Sequence, residues 1–376
     1  MKKVLYISKL PIGTELRRGI GVGSTMQYNA LASILGKHCY LFNIPDYEKY
    51  SYRSIEVLLH HRYEGMSREI EAMIVSKIKN EQYHIIYIDN SLWGYLIKRI
   101  KTECQCSVII FCQDIEYSRV LSILRYEWSS KQFLKFLIHQ YWKWIVYKNE
   151  SLATTYADKI LTLNQRDSNV LFYYYGKKSL MEIPVCLEDK FTNNSNIENP
   201  YPNPNKINLL FVGAMDYQPN IEAMDFMKKS VMPYTSNTHL YIIGKNSEQL
   251  YKKYECIQNI TIIGEVESLE PYYTYATAVI IPIFSGGGMK IKTAEALMYG
   301  KYILGTKEAF EGYSLDYSKA GALCNNADEF IKAIEQIQPN KIYNEYSRKF
   351  YLLNHSFNVM VAKYSSIFCE ELEGTL

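Results

Sequence analysis

The chain has 376 residues, which is too long for one ordinary hydrophobic core and suits two domains. Hydrophobic residues make up 48% and charged residues 22% of the sequence, a composition that excludes disordered and fibrous proteins. The net charge of +3 is smaller than the basic excess that nucleic-acid-binding proteins usually carry, so no nucleic-acid partner is expected.

The sequence also lacks the signals of secretion and of membrane insertion. Its longest apolar run, 276–284, is interrupted by Thr277 and Pro282 and is too short to cross a bilayer. The first residues, MKKVLYISKLPIG, contain two lysines but no continuous apolar region, so we expect no signal peptide and a cytoplasmic location. The eight cysteines form no CxxC pair, which favours reduced thiols over disulfides or zinc ligands.

Apolar, β-branched runs alternate with amphipathic stretches along the whole chain, a pattern that predicts βα units around parallel sheets. In the first half, strands are predicted at 3–8, 38–43, 84–88, 107–112, 159–163 and 180–183, with helices at 22–36, 66–80, 92–103 and 129–156. In the second half, strands are predicted at 207–212, 238–243, 260–263, 278–283, 302–305 and 321–324, with helices at 219–230, 290–299, 327–338 and 341–371. The predicted fold class is α/β, with two doubly wound, Rossmann-like domains facing each other across a cleft.

The composition changes abruptly between the two halves. Residues 192–206 contain six asparagines and three prolines and almost no apolar side chain, so this stretch is predicted to be a linker. The predicted organisation is an amino-terminal domain at 1–190, a linker at 191–206, a carboxyl-terminal domain at 207–340 and a final helix at 341–376 that crosses back to the first domain.

The glycine cluster GIGVGS, residues 19–24, is the first candidate motif along the chain. Dinucleotide-binding glycines stand directly at a strand end, whereas about ten residues separate this cluster from the first predicted strand. We therefore predict a mobile loop ahead of a helix capped by Ser24, with Arg17 and Arg18 facing the cleft. A flexible surface turn is the alternative.

Two acidic residues follow the strand predicted at 107–112. Asp114 and Glu116 would project from the carboxyl end of this strand, where one of them could orient a substrate hydroxyl or accept its proton. Alternatively, both have structural roles: either carboxylate could cap the next helix, and Arg119 is well placed to neutralise Glu116.

The helix predicted at 129–156 combines lysines with large aromatic side chains in the stretch SKQFLKFLIHQYWKWIVYKNE, residues 130–150. Basic aromatic helices can lie in a membrane interface, whereas most such stripes are core helices with one solvated face. Both interpretations stay open at this point.

The most informative segment is IIPIFSGGGMKIKTAEALMYGKYILG, residues 280–305. It predicts a strand, a loop of three glycines and a helix that Gly300 ends. Glycines let a backbone approach a ligand closely and a helix amino terminus favours an anion, so Lys290 and Lys292 at this terminus indicate a phosphate site. The alternative is a glycine-rich turn before a solvated helix, with a surface pair between Lys292 and Glu295.

Two further residues fit a nucleotide at this phosphate site. Glu295 lies about 7 Å along the helix from Lys290 and shares a face with Lys292. Carboxylates accept hydrogen bonds from ribose diols, so a nucleoside diphosphate would bring its ribose to Glu295. Gly213, at the end of the strand predicted at 207–212, permits close approach of the same ligand.

Several stretches together resemble the donor domain of the retaining glycosyltransferases of family 4, which have the GT-B architecture. They are LLFVGAMDYQPNIEAM, LYIIGKN, ITIIGEVESLEPYYTYATAVIIPIFSGGGMKIKTAEALMYGKYILGT and EAFEGY, roughly over residues 207–313. Weaker similarity runs through the first half. There IFCQDIEYSR resembles the family's His-Asn/Asp-hydrophobic-Glu segment, and ADKILTLNQRDSNVL with MEIPV resembles the stretch that leads to the linker.

The resemblance implies roles for particular residues. Lys290 and Lys292 match the basic pair that holds the donor diphosphate, and Glu295 matches the later glutamate of the Glu-x7-Glu pattern, which would bind ribose. The sequence departs from the pattern at three places: Gly287 stands where the earlier glutamate would contact the donor sugar, Gln113 replaces a histidine, and basic residues are missing from GAMDYQPN.

Motifs and resemblance together define three predicted groups of site residues. The catalytic group is Lys290, Lys292 and Asp114. The donor-binding group is Gly213, Gly286, Gly287, Gly288, Met289, Lys290, Lys292, Thr293 and Glu295. The acceptor-side group is Arg17, Gly21, Gln113 and Glu116.

The resemblance implies a retaining glycosyltransferase that moves a sugar from a UDP- or GDP-linked donor to a hydroxyl of a glycan or lipid-linked saccharide in cell-surface polysaccharide synthesis. The absence of Asp-x-Asp favours a metal-independent reaction, and no cofactor besides the nucleoside diphosphate sugar is expected. The alternatives are a nucleotide-sugar epimerase or phosphorylase of the same fold, and a non-catalytic nucleotide-sugar-binding subunit. A lipid-linked acceptor would agree with a peripheral position at the inner face of the membrane.

Overall fold

The computed structural model describes residues 2–12, 19–44, 59–62, 66–129, 131–192, 197–250 and 258–373. The chain divides into two compact units, the first formed by Met1–Pro184 with Met360–Leu376 and the second by Val185–Val359. Each unit contains a six-stranded sheet whose strands are all parallel. The predicted α/β fold class with two Rossmann-like domains is confirmed.

In the sheet of the first unit, the strand order reverses between the first and third strands, while all strands stay parallel. Its strands are β1 (Val4–Ser8), β2 (Cys39–Asn43), β3 (Ile85–Ile88), β4 (Ser107–Cys112), β5 (Lys159–Thr162) and β6 (Met181–Glu182). Its helices are α1 (Gly19–Leu35), α2 (Arg68–Glu81), α3 (Gly94–Glu103), α4 (Glu116–Ser129), α5 (Phe133–Tyr156) and α6 (Gln165–Tyr175). The strand order β2-β1-β3-β4-β5-β6 puts the reversal at β1 and β3, whose carboxyl ends are the expected place for a ligand.

The second unit has the strand order β12-β11-β10-β7-β8-β9, so its reversal lies between β7 and β10. Its strands are β7 (Ile207–Val212), β8 (Thr238–Ile243), β9 (Ile260–Gly264), β10 (Ala278–Ile281), β11 (Tyr302–Gly305) and β12 (Gly321–Leu323). Its helices are α7 (Gln218–Phe226), α8 (Glu270–Tyr275), α9 (Ile291–Met298), α10 (Tyr317–Ala320), α11 (Ala327–Glu335) and α12 (Glu345–Asn354). The last helix, α13 (Phe357–Glu373), belongs to the first unit from residue 360 onward.

The central strands are apolar runs because both faces of each parallel sheet are covered. All residues of β1, β3 and β10 are buried, and β4 is buried from Val108 onward. Such runs of buried aliphatic residues are typical of parallel sheets that carry helices on both faces. Each of the twelve predicted strands overlaps an observed one.

The prediction for the glycine cluster at 19–24 is wrong. Gly21 and Ser24 lie inside α1, which begins at Gly19, so the cluster is neither a loop nor a surface turn and Ser24 is not a cap. Tyr6 Oη donates to the carbonyl oxygen of Ser24 at 3.2 Å, and the Ser24 hydroxyl accepts from Gln113 Nε2 at 3.1 Å. These contacts with the sheet outweigh the low helix propensity of glycine. Arg17 and Arg18 lie outside the described residues.

The helix predicted at 129–156 is preceded by a separate helix that the sequence did not indicate. α4 ends at Ser129 and α5 begins at Phe133. Between them Lys131 has a φ of 58°, a left-handed conformation that a right-handed helix cannot continue through.

The helix predicted at 341–371 is two helices, because backbone groups at its centre bond to another segment. Leu187 N donates to the His355 carbonyl oxygen, and Phe357 N donates to the Leu187 carbonyl oxygen, both at 2.9 Å. These groups are used in a short bridge between Leu187 and Ser356 and cannot extend α12 into α13.

The stretch predicted as a linker packs onto the second unit where the structure describes it. Tyr201 is buried, and its hydroxyl donates to the Tyr272 carbonyl oxygen at 2.7 Å. The Tyr275 hydroxyl donates to the Ile197 carbonyl oxygen at 2.5 Å. Tyr201 and the carbonyl of Ile197 therefore anchor the stretch on α8.

Candidate functional site

Lys292 lies between β7 and β10, the two strands at which the strand order of the second sheet reverses. It lies in the first turn of α9, after β10, and its Nζ donates to Asn220 Oδ1 at 2.8 Å. The same ammonium lies 4.1 Å from the ring centroid of Phe211 in β7. A Cβ on Gly213 would stand 2.9 Å from Lys292 Nζ and 2.8 Å from Asn220 Nδ2. A side chain at position 213 would therefore force the lysine or the asparagine amide to shift.

The buried position of the Lys292 amine brings its pKa close to neutral pH. Burial lowers the pKa of Lys292 from 10.5 to about 7, against the attraction of Glu295. The positive charge of Lys290 lowers this pKa further. An anion beside the amine would act in the opposite direction and favour the ammonium form.

Lys290, the N-cap residue of α9, holds the glycine loop from inside. Its Nζ donates to the carbonyl oxygens of Gly287 and Gly288, each at 3.0 Å, and pairs with Glu308 Oε1 at 2.7 Å. Sequence analysis did not anticipate Glu308, which gives Lys290 a counter-charge from the protein itself. Lys290 therefore has a structural role in the loop, and Met289 beside it is buried.

The backbone of the loop requires glycine at two of its three glycine positions, 286 and 288. Gly286 has a φ of 140° and Gly288 a φ of 60°, both in the region that side-chain-bearing residues rarely adopt. Gly300, with a φ of 60°, follows α9 as predicted, and a Cβ there would stand 2.5 Å from the ring of Tyr343.

The remaining predicted residues of α9 are held by partners within the second unit. Tyr273 Oη donates to Glu295 Oε2 at 3.0 Å, and Thr293 Oγ1 donates to the Ala309 carbonyl oxygen at 2.7 Å. Burial raises the pKa of Glu295, and the bond from Tyr273 opposes this rise. Most of α9 is buried, so the alternative of a solvated helix with a Lys292–Glu295 surface pair is wrong.

A second polar site lies in the first unit, at the carboxyl ends of β1, β3 and β4. The strand order of this sheet reverses there, between β1 and β3. The residues that line this pocket are Lys9, Ser24, Asp89, Asn90, Ser91, Leu92, Gln113, Asp114 and Glu116. The pocket brings together three predicted residues, Gln113, Asp114 and Glu116. Gly21 does not line it and is buried within α1.

Asp89 is the residue of this pocket that sequence analysis missed. It is 3% exposed, its Oδ1 accepts from Gln113 Nε2 at 2.7 Å, and its Oδ2 has no hydrogen-bond partner among the described residues. Burial raises the pKa of Asp89 from 3.8 to about 6, although hydrogen-bond donors such as Gln113 oppose the rise. A buried oxygen with spare bonding capacity suits a ligand hydroxyl. The available signal was an acidic residue directly after a buried strand, as for Asp114.

The start of α4 separates the two interpretations of Glu116. Arg119 Nε donates to Glu116 Oε2 at 2.7 Å, which confirms the predicted neutralisation. The backbone N–H groups of Glu116 and Tyr117 donate to the two carboxylate oxygens of Glu150, both at 2.9 Å. Glu150 in α5 therefore accepts hydrogen bonds from the start of α4.

The parts of the chain that the structure describes contain neither a membrane-spanning helix nor a cluster of metal-binding side chains. None of the helices there is both long enough and apolar enough to span a bilayer. Nor do three or more His, Cys, Asp or Glu side chains come together there as a metal ion would require. Metal independence stays a prediction.

A known family matches the part of the second unit that contains the Lys292 site. Residues 206–340 match the family model described as Glycosyl transferases group 1, and this segment contains Lys290, Lys292 and Glu295. None of the curated proteins matches the chain in sequence.

Solved structures resemble the whole chain in fold. Sucrose-phosphate synthase from Thermosynechococcus elongatus has a TM-score of 0.69 at 15% identity, with 100% of each chain covered. HepE from Anabaena in complex with UDP-glucose has a TM-score of 0.63 at 11% identity, over 98% of this chain and 100% of that one. WaaG, a glycosyltransferase involved in lipopolysaccharide biosynthesis, has a TM-score of 0.63 at 14% identity, over 97% of this chain and 99% of that one. The fold is that of the GT-B glycosyltransferases, with two Rossmann-like domains.

Proposed function

We propose that the chain is a retaining glycosyltransferase that transfers a sugar from a nucleoside diphosphate sugar to a hydroxyl of a glycan or lipid-linked saccharide in cell-surface polysaccharide synthesis. The observation that carries the proposal is the position of Lys292. Its amine lies beside Gly213 and Asn220, where the strand order of the second sheet reverses between β7 and β10. The family match over residues 206–340 supports it. The complex of the similar HepE with UDP-glucose favours UDP over GDP as the first nucleotide to test.

In this proposal, the donor diphosphate binds between the end of β7 and the start of α9. Gly213 admits the phosphates, the amino terminus of α9 supplies backbone N–H groups, and Lys292 supplies positive charge. Cleavage of the glycosidic bond transfers negative charge to the diphosphate, so an ammonium already held at this place stabilises the leaving group in the transition state. Glu295, held by Tyr273, accepts from the ribose hydroxyls.

The acceptor is proposed to bind in the pocket of the first unit. Asp89, Asp114 and Glu116 offer carboxylate oxygens to sugar hydroxyls, and Gln113 holds Asp89 by its amide. The reaction is a displacement on the front face of the sugar: the acceptor oxygen bonds to the anomeric carbon as the bond to the diphosphate breaks, and the proton of the acceptor hydroxyl passes to the leaving diphosphate. No side chain of the protein forms a covalent bond to the sugar.

Removal of the two lysines tests the proposal. We expect the double variant Lys290→Ala/Lys292→Ala to lose about a thousandfold in sugar transfer, because the charge of Lys292 near the leaving group and the Lys290 bonds that hold the glycine loop both disappear. The measurement is release of UDP or GDP from their sugars across a panel of saccharide acceptors. A matched control is Lys332→Ala/Lys349→Ala, which removes two exposed lysines of the same unit and should leave transfer unchanged. Normal turnover in the first double variant, with its fold intact by circular dichroism, would refute the assignment.

A non-catalytic nucleotide-sugar-binding subunit is the second candidate. It is favoured by Gly287 at the position of the family's earlier glutamate and by Gln113 at the position of its histidine. This function predicts binding of UDP or GDP without turnover with any acceptor. An epimerase would instead convert the donor sugar without releasing nucleotide, and product analysis in the same assay separates the three outcomes.

A further inference from the structure

Tyr217 reaches from the loop after β7 to the glycine loop after β10. It is the N-cap residue of α7, and its carbonyl oxygen accepts from Asn220 N at 3.0 Å. Its side chain extends to the glycine loop, because a Cβ on Gly286 would stand 3.4 Å from Tyr217 Oη. The phenol therefore lies against the loop that precedes α9.

The side chain of Tyr217 is accessible to a ligand, while its backbone is held in place. Tyr217 is 49% exposed, and Gly286 opposite its hydroxyl is exposed as well. Two residues before Tyr217, Met215 N donates to the Lys245 carbonyl oxygen at 2.8 Å. The first turn of α7 holds the other side of Tyr217. A loop that is anchored on both sides presents its side chain in a defined position.

The polar groups around Gly286 suit an uncharged ligand. Apart from its chain neighbours, the atoms closest to the Cβ position of Gly286 belong to Tyr217 and to Lys290, whose Nζ would lie at 3.6 Å. This ammonium already pairs with Glu308 Oε1 at 2.7 Å and donates to two carbonyl oxygens of the loop. The phenol hydroxyl both donates and accepts hydrogen bonds without a charge, as a sugar hydroxyl does.

The parts of a nucleoside diphosphate sugar follow one another in a fixed order, and this order directs the sugar toward Tyr217. In the proposed function, Lys292 binds the diphosphate and Glu295 binds the ribose. Glu295 lies three residues further along α9, about 4.5 Å toward its carboxyl end. The sugar is bonded to the opposite end of the diphosphate, so it extends past the amino terminus of α9. The glycine loop and the Tyr217 hydroxyl lie on that side.

We infer that the Tyr217 hydroxyl binds a hydroxyl group of the donor sugar, and that this sugar is uncharged. The inference rests on the proposed function, since it needs the nucleotide at α9. A group that bonds to a substrate hydroxyl discriminates between ligands that carry this hydroxyl and ligands that lack it. Tyr217 therefore contributes to recognition of the sugar and contributes nothing to binding of the nucleoside diphosphate alone.

Titration calorimetry of the full chain without an acceptor tests this inference. The probes are UDP and GDP, four donors with uncharged sugars, and UDP-glucuronic acid. The uncharged donors are UDP-glucose, UDP-galactose, UDP-N-acetylglucosamine and GDP-mannose. In Tyr217→Phe, which loses only the hydroxyl, we expect about fivefold weaker binding of the uncharged donor that the original chain binds best, the value of one neutral hydrogen bond. Affinity for UDP and GDP should stay unchanged.

The matched control is Tyr234→Phe, which removes the same hydroxyl from a tyrosine that is 67% exposed in the same unit. This control should leave every affinity unchanged. Both variants keep the aromatic ring, so their thermal unfolding should match that of the original chain. UDP-glucuronic acid should bind the original chain more weakly than UDP-glucose, because the only ammonium beside Gly286 that the structure describes is already paired with Glu308.

Three results would overturn the inference. The first is an unchanged affinity of Tyr217→Phe for all four uncharged donors. The second is an equal loss for the donor and for its nucleoside diphosphate, which would put the hydroxyl at the phosphates or limit it to holding the loop. The third is binding of UDP-glucuronic acid as tight as that of UDP-glucose.

Failure of the proposed function gives different results. If the original chain binds neither UDP nor GDP, the donor site is refuted and the role of Tyr217 with it. If the donors bind and Tyr217→Phe has the expected effect, but no acceptor receives a sugar, the transferase assignment is refuted and the role of Tyr217 stands.

Discussion

Lys292 Nζ and Asn220 Oδ1 lie 2.8 Å apart, and this bond joins the first turn of α9 to the first turn of α7. Asn220 Nδ2 donates in turn to the Ala214 carbonyl oxygen at 2.7 Å, which directs the amide oxygen toward the lysine. An amide fixes the position of an amine without neutralising its charge. Lys290, by contrast, pairs with the carboxylate of Glu308, so the two lysines that the sequence puts side by side have different surroundings.

Binding of a nucleoside diphosphate should therefore be coupled to uptake of a proton by Lys292. With a pKa lowered to about 7, the amine is mostly neutral at pH 8, and a bound diphosphate raises this pKa and recruits the missing proton. We expect uptake approaching one proton per bound UDP at pH 8 and much less at pH 6. Titration calorimetry in buffers of different ionisation enthalpy measures this number directly.

The isosteric variant Lys292→Met is the control for that coupling. It removes the amine but keeps most of the side-chain volume against Phe211. At pH 8 the variant should bind UDP at least tenfold more weakly, with proton uptake near zero. Equal uptake in both proteins would mean that another group titrates and would contradict the role of Lys292.

Replacement of Gly213 by alanine should weaken nucleotide binding by displacing the same lysine. The new Cβ would stand within 3 Å of both Lys292 Nζ and Asn220 Nδ2, so the pair must move. We expect at least a tenfold loss of UDP affinity in Gly213→Ala, measured by calorimetry. In the matched control Gly23→Ala, an added Cβ meets nothing within 4 Å, and UDP affinity should stay as it was.

Glu295 and Tyr273 should discriminate a nucleotide from its phosphates alone. If Glu295 binds ribose, Glu295→Gln lowers affinity for UDP about tenfold, the value of one hydrogen bond to a charged group, and leaves affinity for pyrophosphate unchanged. Tyr273→Phe should act in the same direction but less strongly, because it removes only the donor that orients the carboxylate. Equal losses for UDP and pyrophosphate would place Glu295 at the phosphates instead.

The sequence predicts those features that depend on local patterns. The buried strands appear as apolar β-branched runs, and the glycine loop, the start of α9 and its end at Gly300 follow from residues within one segment. α8 and α10, with six and four residues, are too short to show a helical period. The break between α12 and α13 depends on Leu187, far away in the chain.

The partners of the site residues could not be predicted for the same reason. Asn220 reaches Lys292 across 72 positions, Tyr273 reaches Glu295 across 22, and Glu308 reaches Lys290 across 18. Asn220 comes from α7, Tyr273 from α8 and Glu308 from the turn after β11, and no periodicity in the sequence indicates which polar side chain will reach α9. The residue types at the start of α9 therefore indicate an anion site, while the surroundings of each lysine emerge only from the packed fold.

Asp89→Asn should stabilise the protein increasingly as the pH rises, at the expense of acceptor binding. Because the pKa of Asp89 is raised from 3.8 to about 6, the native state holds a proton that the unfolded state releases between these values. The contribution of Asp89 to the free energy of unfolding therefore falls as the pH rises from 4 to 6, by about 3 kcal/mol at most. Asparagine keeps an oxygen for Gln113 and carries no charge, so the variant escapes this loss. Urea unfolding at pH 4, 5, 6 and 7 should show the stability difference between variant and original chain growing and then levelling off above pH 6. A parallel pH dependence of stability in the two proteins would show that Asp89 is ionised without cost. At pH 7 the same variant should also raise the KM for the acceptor and leave UDP affinity unchanged.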